Sequence, residues 1–212
     1  MDERSARAAL TRIARRLDAK GILTATDGNL SARLEDGALL ITPSGCCKGT
    51  VEEADLVIVR GDQIEGPGKP SSEIALHRAI YAARPDVACV IHAHPPYATA
   101  FAVAGIPLDR PILSECVLAI GPVPLAPYAM PTRPDLARTV EPLARDHDAV
   151  LLEHHGAAVW ARSIEAAGLL METLEHVARI DWLSRALGAR ELPPSEVERL
   201  VALRAAFRGG LP

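Results

Sequence analysis

The sequence predicts an α/β fold, in which a mixed sheet is covered by helices on both faces. Three observations predict it. Apolar runs of strand length, such as Val87 to Ile91 and Ala149 to Leu152, interleave with stretches of helical period. The run Val87-Ala88-Cys89-Val90-Ile91 has the character of a buried strand. Several neighbouring strands also read as hairpins, so the sheet is not all parallel.

The elements follow in order. Leu10, Ile13 and Leu17 mark one face of an amphipathic helix that Gly21 ends. In NLSARLEDGALLITPSG, Leu30, Ala32 and Leu34 alternate, Glu35-Asp36-Gly37 turns the chain, and Ala38 to Ile41 returns. Asp55 to Val59 is a further strand, closed by a turn at Gly61-Asp62. EGPGKP, 65–70, is a loop by its Gly and Pro content. Ser71-Ser72 caps a helix from Glu73 to Ala83, which Pro85 closes. A short helix near Thr99 to Val103 follows the next strand. The Pro-rich stretch 106–131 reads as mostly extended. A helix spans Asp135 to Arg145, and Ala157 to Trp160 returns the strand at 149–152. Ile164 to Leu187 and Ser195 to Phe207 are the last helices.

The 212 residues suit one domain spanning 1–212, without repeats or low-complexity tracts. Hydrophobic residues at 49% against charged residues at 24% allow a sizeable core. A net charge of -4 argues against a general nucleic-acid binder or a membrane-surface protein. The first twenty residues lack the apolar segment of a signal peptide, and no apolar run reaches membrane-spanning length. Cys46 and Cys47 are adjacent, Cys89 lies in an apolar strand, and no C-x-x-C occurs, so reduced thiols and a cytoplasmic location are expected.

Chemistry enters with VIHAHPPYATA, 90–100. His92 and His94 are two apart, so in a strand they point to one side and converge as two metal ligands would. Two histidines at a strand end also serve simply to bond core carbonyls. A second histidine signal, EHHG at 153–156, follows another apolar strand. H-x-H plus one distant His makes a three-imidazole set with an open fourth position, the pattern of a catalytic metal site. Glu73 stands at a helix start, where the serines and helix amides also suit a phosphate. Asp27-Gly28-Asn29 and Thr42-Pro43-Ser44-Gly45 are two more polar turns beside strands, each of them ordinary turn chemistry by itself.

In order and spacing, TDGNLSAR, ITPSG, GKPSSE, VIHAHPPYATA, APY and LLEHHGAAVW resemble the class II aldolase/adducin family, most closely its L-fuculose-phosphate aldolase branch. The resemblance covers about residues 5–185. It implies a three-layer α/β/α sandwich with a mixed, largely antiparallel sheet of about nine strands. It further implies a homotetramer and a divalent metal, typically zinc, on His92, His94 and His155. Glu73 would be the catalytic carboxylate and would touch the metal when substrate is absent. Gly28, Asn29, Ser44, Gly45, Ser71 and Ser72 would cradle a sugar phosphate, while His154 packs or hydrogen-bonds.

The activity implied is cleavage of a ketose 1-phosphate to dihydroxyacetone phosphate and an aldehyde through a metal-stabilised enediolate. The lysine-imine route is disfavoured, since Lys20, Lys48 and Lys69 all read as loop or helix-end positions. Relatives of other chemistry include 4-epimerases, a dehydratase, decarboxylase-like members and non-catalytic adducin modules. The stretch VLAIGPV carries no acid of the epimerase kind, and adducin-like modules tend to lose the ligands retained here. One departure bears on the substrate. The tyrosine that fuculose-phosphate aldolases use after H-x-H falls on Leu113, and the tail FRGGLP carries none. Glu115, on the same face as Leu113 if that segment is extended, is the candidate replacement acid/base, the other reading being a surface or intersubunit salt bridge.

Overall fold

The protein, seen as a computed structural model, is described over residues 1–210, with side chains through residue 205. Helix α1 (Glu3–Ala19) is N-capped by Asp2, whose carboxylate accepts from the Ser5 amide at 3.0 Å. Strands β1 (Asn29–Arg33), β2 (Leu39–Ile41), β3 (Val57–Arg60) and β4 (Gln63–Glu65) follow as a meander. Next come α2 (Ile74–Ala83), β5 (Cys89–Ala93), α3 (Pro96–Val103), α4 (Ser114–Ala119) and β6 (Leu125–Ala126). The chain continues through α5 (Pro134–Ala144), β7 (Ala149–Leu152), β8 (Gly156–Ala161), α6 (Ile164–Arg185) and α7 (Pro194–Gly210).

The strands form one sheet in the order β4-β3-β2-β1-β5-β8-β7-β6, antiparallel throughout except for the β6–β7 pair. The side-chain period of two divides the core into two clusters. Leu30, Ala32, Cys89, Ile91, Ala157 and Val159 face the layer of α1, α3 and α6. Val90, Ala158 and Trp160 face the other way, against Leu76 and Ile80 of α2 and Leu136 and Val140 of α5. The result is the α/β/α sandwich expected. Trp160 is fully buried and donates its indole N–H to the His147 carbonyl at 2.8 Å.

Two expectations need correction, and one strand went unread. The described residues form eight strands rather than about nine. The stretch 106–131 is not mostly extended: it holds α4, the two-residue β6 and a bridge between Leu108 and Val123. Its prolines lack the N–H that a longer ladder needs. β4 was unread because it is short and exposed, so no buried face writes a period of two into it. Side chains of the tail FRGGLP, where a tyrosine was looked for, lie outside the described residues. Among the described residues no helix is long and apolar enough to cross a membrane.

Candidate metal centre

Three neighbouring central strands carry the histidines. The β1–β5 register sets Asn29 opposite His92, and the β5–β8 register sets His92 opposite Ala158. His94 lies one residue beyond β5, and His155 sits in the tight turn between β7 and β8. Their ligand atoms all lie within 4.8 Å of one another. Two glycines allow this approach. A Cβ on Gly156 would come within 2.6 Å of the His94 ring, and one on Gly28 within 2.7 Å of the His92 carbonyl. Gly28 also has φ +72, a conformation that side chains disfavour.

The tautomers follow from the partners. His92 Nδ1 lies 2.9 Å from the Ala157 carbonyl, which only accepts, so Nδ1 carries the proton and Nε2 a lone pair. His94 directs Nδ1 at the Asp27 carboxylate, 3.4 Å away. The two Nε2 atoms face each other at 3.1 Å. Two lone pairs at that distance repel unless a cation lies between them, and nitrogens of one tetrahedral zinc stand about 3.3 Å apart. Burial first, and the neighbouring His155 and His94 second, hold His92 well below its ordinary pKa, so His92 keeps its Nε2 lone pair for a cation. His155 is likewise lowered by burial, and its Nδ1 is buried without a hydrogen-bond partner. Three converging imidazoles, two of them held by outer partners at Nδ1, fit a divalent transition metal.

Glu73 joins the set from the opposite layer. It occupies the residue before α2, yet its side chain does not cap that helix. The carboxylate turns inward instead, with Oε2 3.3 Å from His92 Nε2 and Oε1 3.4 Å from His155 Nε2. Oε2 accepts from Asn29 Nδ2 at 2.8 Å, whereas Oε1 is buried without a hydrogen-bond partner. The Asn29 side chain is thus committed to Glu73.

The three polar turns meet beside this cluster. Ser44 N donates to Lys69 O at 2.9 Å and Ser71 N to Thr42 O at 3.2 Å, so two of the loops run side by side. Ser71 is buried with its hydroxyl accepting from Glu73 N, while Ser44, Gly45 and Ser72 are exposed. The third loop, 24–28, is tied in by a residue that sequence reasoning misread. Lys48 is not an open loop side chain; it is 2% exposed. Its Nζ donates to Thr26 O at 2.5 Å and Cys46 O at 2.8 Å, and burial lowers its pKa. No apolar periodicity surrounds it in sequence, so nothing marked its burial. Asp27, the partner of His94, was likewise seen only as a turn residue.

Glu115 does not lie on an extended face with Leu113. Leu113 is extended, but Glu115 starts the first turn of α4, where the period changes from 2 to 3.6. The Glu115 carboxylate is exposed and lines a cavity of about 760 Å³ with Tyr97, Glu172, Glu175 and Arg179. His154 has φ +56, is exposed and packs its ring 6.3 Å from Tyr128, away from the triad.

Fold and centre together define an α/β/α protein with a three-histidine site at the ends of its central strands. The sequence pattern of the Class II Aldolase and Adducin N-terminal domain matches residues 8–182, and the chain belongs to that family. It is 35% identical over 204 residues to the 3-oxo-tetronate 4-phosphate decarboxylase of Escherichia coli K12, covering 93% of this chain and 96% of the relative. It is also 35% identical over 190 residues to the 5-methylthioribulose-1-phosphate/5-deoxyribulose-1-phosphate aldolase of Rhodospirillum rubrum, covering 89% and 86%. A solved L-fuculose 1-phosphate aldolase superposes with a TM-score of 0.87 at 30% identity, covering 93% of this chain and 95% of that one.

Proposed function

We propose that this protein is a metal-dependent carbon–carbon lyase that converts a phosphorylated keto compound to dihydroxyacetone phosphate, with carbon dioxide as the preferred leaving group. The observation that carries the lyase reading is Glu73 Oε1, without a hydrogen-bond partner, beside three converging imidazoles. His92, His94 and His155 would hold the ion, zinc being the choice most consistent with three imidazoles. The ion supplies Lewis-acid stabilisation of the negative charge that develops on the substrate carbonyl.

The chain's own groups supply the rest. Ser44, Gly45, Ser71 and Ser72, with the backbone at Gly28 and Asn29, hold the phosphate, and the Lys48 ammonium beneath the loops complements its charge. Breaking the bond to a neighbouring carboxylate releases carbon dioxide and leaves the electron pair on the keto fragment as an enediolate. Glu73, after taking a proton from water at Oε1, delivers it to the carbon that lost the carboxyl group and returns to the carboxylate.

An aldolase forms the same enediolate but must also take a proton from the hydroxyl of the departing aldehyde. Leu113 stands where that acid/base group is expected and transfers no proton. Carbon dioxide needs no such base, and the Escherichia coli relative is named as a decarboxylase. The second reading, a ketose 1-phosphate aldolase, draws on the Rhodospirillum rubrum likeness and requires Glu115 as its acid/base. Under either reading we place the enzyme in the cytoplasm as a homotetramer. The test is a side-by-side assay of 3-oxo-tetronate 4-phosphate, 5-deoxyribulose 1-phosphate and L-fuculose 1-phosphate. Carbon dioxide from the first at the highest kcat/KM supports the proposal; aldehyde release alone overturns it in favour of the aldolase.

A further inference from the structure

Behind Glu73 lies a chain of buried polar groups that the reaction above leaves unused. It occupies the interface between α2 and the sheet, on the face of β1 opposite Leu30 and Ala32. Ser31 and His77 are fully buried and Tyr81 is 6% exposed. Buried polar groups at a helix–sheet interface are costly unless each is partnered. Here each one is. Tyr81 Oη lies 2.9 Å from Ser31 Oγ, Ser31 Oγ lies 2.6 Å from His77 Nδ1, and His77 Nε2 lies 2.5 Å from Asn29 Oδ1. Asn29 Nδ2 completes the line to Glu73 Oε2 at 2.8 Å.

The directions of the three bonds nearest Glu73 follow from one end. A carboxylate only accepts, so the Asn29 atom facing Glu73 is the amide nitrogen. The Asn29 oxygen then faces His77 and needs a donor, which places the His77 proton on Nε2. His77 Nδ1 is left as an acceptor and takes the Ser31 hydroxyl proton. All three donors point toward Glu73. The imidazole stays neutral across working pH because burial pushes its pKa down to about 3. It therefore does not compete for the proton that Glu73 transfers, and its partners alone set the tautomer.

We propose that His77 is a positioning residue, which, through Ser31 and Asn29, locks the Glu73 carboxylate by Oε2 and leaves Oε1 free for proton transfer. The proposal deepens the lyase reading and rests on Glu73 having a role there. Without His77 the Asn29 amide is free to flip, and flipping sets an oxygen against the carboxylate. Glu73 then loses both its anchor and its aim.

Nitrogen-15 NMR of histidine-labelled resting enzyme reads the His77 tautomer with no substrate, so failure of the proposed reaction leaves this test intact. The Nε2–H form is expected; the Nδ1–H form overturns the proposal. The second arm compares His77→Gln, whose amide restores a donor near the Nε2 position, with His77→Leu, which restores none. In His77→Leu, kcat is expected to fall about ten- to hundredfold, with KM and metal content within about threefold. His77→Gln is expected to recover most of that loss. Equal losses in the two variants overturn the positioning role. In a Glu73→Gln background, adding His77→Leu is expected to cost little more, because the group it positions is already gone. If His77→Leu does not fold, the tautomer and the Gln variant decide.

Discussion

His92 and His94 present their Nε2 atoms to each other at 3.1 Å, with each Nδ1 directed at an acceptor, the Ala157 carbonyl and the Asp27 carboxylate. Such a pair is placed to share one cation. The purified protein is therefore expected to carry one divalent ion per chain by elemental analysis. His94→Ala is expected to lose it, and chelation of the wild type to lower the melting temperature. Full metal occupancy in His94→Ala would remove the triad from the assignment.

Glu73→Gln keeps the three imidazoles and the Asn29 contact but removes the proton carrier. We expect kcat to drop by about 10²- to 10⁴-fold, the range of general acid–base catalysis, with metal content unchanged. Steady-state kinetics beside metal analysis reads this. A variant with normal kcat would exclude Glu73 from the chemistry.

Lys48→Met removes the buried ammonium that ties Thr26 O to Cys46 O. Loss of a charge-assisted contact predicts that inorganic phosphate binds about tenfold more weakly, with KM raised by a similar factor. Competition by inorganic phosphate measures it. Equal inhibition of both proteins, at equal melting temperature, would show that the charge does not serve the phosphate.

Glu115→Gln separates the two leaving groups. A carboxyl on α4 has no task in releasing carbon dioxide but is the required base for releasing an aldehyde. The variant is expected to lose aldehyde release on a ketose 1-phosphate more than carbon dioxide release on a 3-oxo acid phosphate. Parallel loss of both would count against this division of roles.

The acid limb of stability carries a signature of His77. Its folded pKa is about 3, against 6.5 for the free group, because burial penalises the imidazolium. The unfolded chain takes up a proton below about 6.5 that the folded chain refuses until about 3. The contribution is complete above the unfolded value and is lost as pH falls through this window, by about 1.4 kcal/mol per pH unit. Urea unfolding across pH 3–7 is expected to show a slope shallower by about one proton in His77→Gln. Identical slopes would mean that His77 titrates normally.

The sequence by itself determined the layered α/β architecture, the His92, His94 and Glu73 signals and the three polar turns. Those features are local: a period of two puts His92 and His94 on one side, and apolar runs state which strands are buried. Two properties escaped local reading. Glu115 was placed by assuming an extended segment, yet α4 begins at Ser114 and rotates it onto a helix. Lys48 and Ser31 look like surface residues, because their burial comes from elements distant in sequence. α2 closes over Ser31 some fifty residues away in the chain, and only that closure joins Tyr81, His77 and Asn29 to Glu73. A strand's alternation tells which residues share a face, and it does not tell what will cover that face. The tertiary structure alone decided that the polar face of β1 is dry, and so that its hydrogen bonds must be met inside the protein, in a line that ends at Glu73.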